Sequence, residues 1–106
     1  MRNLVGIATF LSLTMVSGYL SADDSVEAVG QKIYASYCSV CHDSGLAGAP
    51  RLGIQADWQA RISKGKETLR EHVLNGFNAM PPKGTCATCS DDDLWAAMDH
   101  MLRSVE

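Results

Sequence analysis

The sequence carries no alternating apolar and polar stretch that reads as a strand, no internal repeat, no coiled-coil heptad and no composition shift that marks a second domain. A sheet-built or solenoid protein is thereby set aside. Basic residues are also short: nine Lys and Arg stand against twelve Asp and Glu, a net charge of −3, which argues against nucleic acid as a partner. Paired carboxylates, a nucleophile arrangement and a phosphate-cradling glycine loop are all missing beside the one strong motif of the chain, and no βαβ pattern surrounds either cysteine pair. What is present is ordinary globular composition, 46% hydrophobic and 20% charged, over 106 residues. That length allows one domain, and a domain so small commonly relies on a cofactor or a cross-link to stay folded.

Arg2 followed by an uncharged, largely apolar run from Leu4 to Leu20 and then by small residues has the layout of a secretory signal peptide. The expected division is a signal over residues 1–22, cleaved after Ala22 with Gly18 as the alternative, and a single domain over 23–106. The run is slightly short for a spanning helix and is interrupted by Ser, Thr and Gly, so no stable membrane span is expected after cleavage. A retained anchor facing the periplasm is the rival. The remaining charge is uneven, acidic toward both ends and basic from residue 51 to residue 83, an asymmetry able to steer a protein partner.

Helical spacing of Val26, Val29, Ile33 and Tyr37, with Asp24 or Ser25 as cap, predicts a first helix over residues 24–38 that runs into Cys38. Residues 45–53, rich in Gly, Ala and Pro, read as a loop. Two short helices are expected over 56–64 and 67–75, split at Gly65 and stopped at Gly76. Pro81 and Pro82 exclude helix around Met80 and stiffen a loop. Ser90 before three aspartates caps a last helix whose apolar stripe is Leu94, Ala97, Met98, Met101 and Leu102. The expected fold is all-α, with four helices.

Cys38, Ser39, Val40, Cys41 and His42 form C-x-x-C-H, in which two thiols add to neighbouring vinyl groups of one haem while the adjacent imidazole ligates iron. Cys86 and Cys89 repeat the spacing, but Ser90 stands where the histidine would be, so one covalent haem is expected and not two. In an oxidising compartment that second pair is expected to close a disulfide. The competing use of all four cysteines, a tetrahedral zinc site, is opposed by the long separation between the pairs.

The sixth iron ligand separates a carrier from a protein with an open iron site. Met1 and Met15 fall in the leader, and Met98 and Met101 fall in the packing stripe, which leaves Met80 in a proline-stiffened loop. His72 and His100 lie within predicted helices. His72 reads as an exposed residue among polar neighbours, His100 as a structural one.

The combination of C-S-V-C-H, G-A-P-R-L-G, Trp58, N-A-M-P-P-K-G and a following C-A-T-C resembles class I cytochromes c of the cytochrome c5 type over residues 25–104. The resemblance implies a fold in which first and last helices cross, with Gly30 and Tyr34 at the close approach, and a carrier role in bacterial respiratory chains. It implies Cys38 and Cys41 as thioether links, His42 and Met80 as iron ligands, Pro50 as the carbonyl that orients His42, Trp58 as a further cofactor-binding residue, and Cys86 with Cys89 as the disulfide. His100 departs from the pattern, standing where such relatives commonly have an aromatic such as Tyr. The function expected is periplasmic one-electron transfer between protein partners, donor and acceptor cytochromes, reductases or oxidases. The alternative is a haem enzyme or small-ligand sensor with a labile sixth ligand.

Overall fold

The computed structural model describes residues 3–106, and among them the chain is helical, with a lone β-bridge between Phe77 and Met80. Helix α1 spans Ala22–Ile33, passes through a π-helical turn over Tyr34–Cys38 and continues into α2, Ser39–His42. Helices α3 (Gln55–Ile62), α4 (Lys66–Asn75) and α5 (Asp91–Arg103) follow. Counted as one run, α1 and α2 make the four helices that the residue pattern predicts.

The ends of these helices follow from local chemistry. Ser90 accepts a hydrogen bond from the Asp93 amide at 3.2 Å while Asp93 accepts from the Ser90 amide at 3.1 Å, a reciprocal capping box at the start of α5. Gly65 and Gly76 bound α4 with φ of 92° and 82°, values that glycine adopts without steric penalty. The first helix begins earlier than its charge pattern suggests: Ser21, not Asp24 or Ser25, caps it by accepting from the Asp24 amide at 3.3 Å. Within the 45–53 loop, Leu46–Gly48 makes one 3-10 turn.

Helices α1 and α5 cross, and Gly30 sets how closely. A Cβ at Gly30 would overlap the Ala96 carbonyl oxygen and lie 2.8 Å from its carbon, so only glycine fits. The face α1 buries is therefore Gly30 and Tyr34, whereas Val26 and Val29 stay 46% and 41% exposed. Helical spacing located an apolar stripe but not which edge of it meets α5. Around the crossing, Glu27 accepts from Arg103 and from His100 Nδ1, the latter at 2.8 Å, and the His100 ring lies 5.3 Å from that of Tyr34. His100 thus fills the aromatic position and adds a polar link.

The core has two centres. Tyr34, Trp58, Met101 and Val105 form one, with Cys38, Leu52 and Leu102 against it. The other is the Cys86–Cys89 disulfide with Leu94, against which Ile33, Val73, Leu74 and Trp95 pack. The disulfide is thus core material as well as a cross-link. Lys66 pairs with Asp99 at 2.8 Å and the Arg70 guanidinium lies 5.3 Å from the Trp95 ring centroid, tying α4 to α5.

Candidate functional site

Cys38, Cys41 and His42 leave one helical run together, and the π turn that ends at Cys38 rotates the following residues relative to a regular α-helix. Tyr34, inside that turn, donates its hydroxyl to Asp43, the residue after His42. The phenol's pKa is pushed up, first by burial and then by the Asp43 carboxylate, so it remains a donor. Both cysteines of the motif are free and partly buried, and burial pushes the Cys38 thiol up to about 11, with Cys41 adding to the shift.

His42 is 8% exposed, and its Nδ1 lies 2.8 Å from the Pro50 carbonyl oxygen. That carbonyl selects the Nδ1–H tautomer, which leaves Nε2 as a lone-pair donor for a metal. The Pro50 segment is itself fixed from three directions. The Leu52 amide donates to the His42 carbonyl at 2.8 Å, and Trp58 Nε1 donates to the Arg51 carbonyl at 2.9 Å. Arg51 also meets Asp57 through two side-chain bonds, at 2.7 and 3.1 Å, and its amide donates to the same carboxylate at 3.1 Å. These bonds to Arg51 hold the Asp57 carboxyl down to about 2. The Trp58 ring stacks 6.1 Å from the His42 ring at 19°.

Met80 reaches the same space from another part of the chain. Phe77 and Met80 exchange backbone hydrogen bonds of 3.0 and 2.9 Å, closing a tight turn in which Asn78 is left-handed at φ 52°. Pro81 is extended, and the chain then turns through Pro82–Thr85 into the disulfide.

Cys38, Cys41, His42, Pro50, Trp58 and Met80 all line one cavity of about 340 Å³. The residues singled out from sequence around the haem motif are brought together, while Cys86 and Cys89 lie apart in the core, as a disulfide and not as part of a four-cysteine site. The wall is mostly apolar, with Leu69, Val73, Met98 and Met101 from α4 and α5. Its donor set fits a covalent haem: two free thiols, an imidazole with Nε2 available, and a thioether.

Three wall residues escaped the sequence reading. Arg61 and Lys64 are cations on the cavity wall, Arg61 donating to the Asp57 carbonyl at 2.6 Å and to that of Gly48 at 3.4 Å. Arg61, three residues after Trp58, falls near its face of α3, whereas Lys64 lies beyond the end of that helix and has no such signal. His72 is the third. It is partly buried on the wall, stacked on Phe77, rather than exposed among its polar neighbours.

The sequence model of the family described as cytochrome C oxidase, cbb3-type, subunit III matches residues 26–101. The chain is 49% identical over 74 residues to cytochrome c5 of Azotobacter vinelandii, covering 68% of this chain and 89% of that relative. To cytochrome c5 of Ectopseudomonas mendocina it is 43% identical over 86 residues, covering 79% and 90%. Among solved structures it is similar to a chain of an electron-transfer complex of nitrite reductase with cytochrome c, at a TM-score of 0.70 and 40% identity over 74% of this chain and 95% of that one. With fold, cavity and relatives in agreement, the chain belongs to the class I c-type cytochromes of the c5 type, monohaem electron carriers with covalently bound haem c.

Proposed function

We propose that this cytochrome is an exported one-electron carrier, not an enzyme, whose haem is linked through Cys38 and Cys41 and whose iron is held by His42 and Met80. The observation that carries this reading is the convergence of those four side chains on one largely apolar cavity although Met80 lies far from the motif in sequence. When bound, the haem supplies a metal that changes oxidation state by one electron without breaking a bond in a substrate.

The protein's part is to hold and to shield. The Pro50 carbonyl keeps the proton of His42 on Nδ1 and fixes the imidazole plane. Trp58, Met98 and Met101 exclude water from the space beside it, and a dry shell together with a thioether ligand favours the reduced, less charged metal. Arg61 and Lys64 are suited to neutralise the carboxylates of the cofactor.

The partners in this reading are proteins. A cytochrome similar to this chain is seen in an electron-transfer complex with nitrite reductase, and a reductase or oxidase is the proposed kind of acceptor here. Export rests on the apolar leader, residues 1–22, whose removal would take the Ser21 cap and Ala22 with it and leave 23–106, opening on Asp23 and Asp24, in the periplasm. No helix among the described residues is long and apolar enough to cross a membrane.

The test is the visible spectrum of the periplasmic protein, oxidised and reduced, together with the Met80→Ala variant. Sharp reduced haem bands, a far-red sulfur-to-iron band lost in Met80→Ala, a lower potential and new affinity for carbon monoxide are expected. Haem bands without the far-red band, and a potential unchanged by Met80→Ala, would favour the enzyme or sensor with a labile sixth ligand.

A further inference from the structure

The turn that carries Met80 is anchored unequally at its two ends. Downstream it runs through Pro81 and Pro82 into a disulfide buried in the core. Upstream it joins α4 through Gly76, at φ 82°, whose open face lies against the Met80–Pro82 backbone: a Cβ there would stand 2.7 Å from the Met80 carbonyl oxygen. The hydrogen bonds between Phe77 and Met80 fix the shape of the turn and the packing on Gly76 sets it against the end of α4, but neither engages a side chain of that helix.

A side chain of α4 adds a second hold. The Phe77 ring lies against the His72 ring at a centroid separation of 3.9 Å and an interplanar angle of 13°, and Lys64 Nζ stands 5.1 Å from the Phe77 centroid. Phe77 is 41% exposed and belongs to neither buried cluster, so the ring contacts that hold it are the stack on His72 and the Lys64 cation above it. His72 stands on α4, whose Leu69 is buried and whose Val73 packs against the disulfide core, so it is a fixed platform.

We propose that His72 is a positioning residue for the sixth ligand: through its stack on Phe77 it holds the Phe77–Met80 turn so that the Met80 thioether stays at the iron. This rests on Met80 being that ligand. His72 itself takes no part in coordination. The ring face matters, not the titration of the imidazole, so another flat ring at residue 72 does the same work and a methyl group does not.

Added imidazole, titrated into the oxidised holoprotein, tests this because it competes with Met80 for iron, and its apparent affinity rises with the fraction of molecules in which the thioether is released. With the usual strength of an aromatic pair, His72→Ala is expected to bind imidazole roughly threefold to tenfold more tightly, with a far-red band that fades at lower temperature. Phe77→Leu, which keeps apolar bulk and loses the ring face, should behave alike and serves if His72→Ala folds poorly. His72→Phe should return to within about twofold of the wild type. A wild type that shows the far-red band beside His72→Ala and Phe77→Leu proteins of unchanged imidazole affinity overturns the clamp alone, as does His72→Phe matching His72→Ala. A wild type that lacks the band and binds imidazole as Met80→Ala does overturns the ligand assignment and the clamp with it.

Discussion

Cys38, Cys41 and His42 stand on a single helical run whose direction is set by the α1–α5 crossing, whereas Met80 stands in a four-residue turn with a left-handed Asn78, entered through a glycine and left through two prolines. The first segment inherits its geometry from hydrogen-bonded helix and from one close helix contact. The second is assembled from constraints that are each local and small: a backbone bridge, a stacked ring, a disulfide. A frame of the first kind fails together with the fold, while one of the second kind can loosen on its own, as low-stability segments of proteins do. For a carrier the asymmetry has a use, since the covalent side cannot be lost and only the proposed thioether bond is open to adjustment.

The largest effect is expected on the helical side. Gly30→Ala forces a methyl group into the Ala96 carbonyl, and overpacking of backbone against backbone should destabilise the protein by roughly 3 kcal/mol. Urea unfolding followed by far-ultraviolet dichroism and by the far-red band should then show both signals lost together at a lower midpoint. Separate transitions would break the comparison.

Removing the disulfide probes the other side. The loop it closes is short, so the Cys86→Ala, Cys89→Ala double variant should lose about 2 kcal/mol. Because the pair is also packed against Leu94, Val73 and Trp95, some of that loss reflects lost contacts. The far-red band is expected to disappear at lower urea than the helical signal, which would separate loosening of the turn from unfolding; coincident loss would show that the turn is no weaker than the frame.

The smallest effect concerns pH. The Glu27 carboxyl lies below its ordinary value near 4.5, mainly because His100 donates to it, with Gln31 and Arg103 adding to the shift against a desolvation penalty. A depressed folded-state pKa stabilises above the unfolded value, and that stability is lost as pH falls through the folded value. The α1–α5 crossing should weaken below about pH 4.5. In Glu27→Gln, thermal midpoints measured from pH 6 downward should fall less steeply than in the wild type. An identical slope would mean that other carboxylates govern acid unfolding.

Much of this was readable from residues alone. The C-x-x-C-H motif, the stops at Gly65 and Gly76, the rigid loop at Met80 and the cap at Ser90 depend on the chemistry of neighbours within a few positions, so the local sequence specifies them. The reading failed where a side chain's role depends on a distant partner. Val26 and Val29 fit a helical stripe yet face outward, because the contact with α5 is centred on a glycine that hydropathy does not register. His72 has polar neighbours in sequence, but the turn after Gly76 folds Phe77 back onto its ring. Glu27, His100 and Arg103 meet only because two helices from opposite ends of the domain cross.

The sequence by itself determined the four helices, the cap at Ser90, the covalent haem motif and a stiff loop bearing Met80, because each follows from hydrogen bonding and torsion within a few residues. Only the tertiary structure decided that Val26 and Val29 stay outside the buried face, that Arg61 and Lys64 stand on the cavity wall, and that the Phe77 ring folds back onto His72. Those are contacts between segments distant along the chain, and their geometry exists only once α1 and α5 have crossed and the loops have closed over the space between.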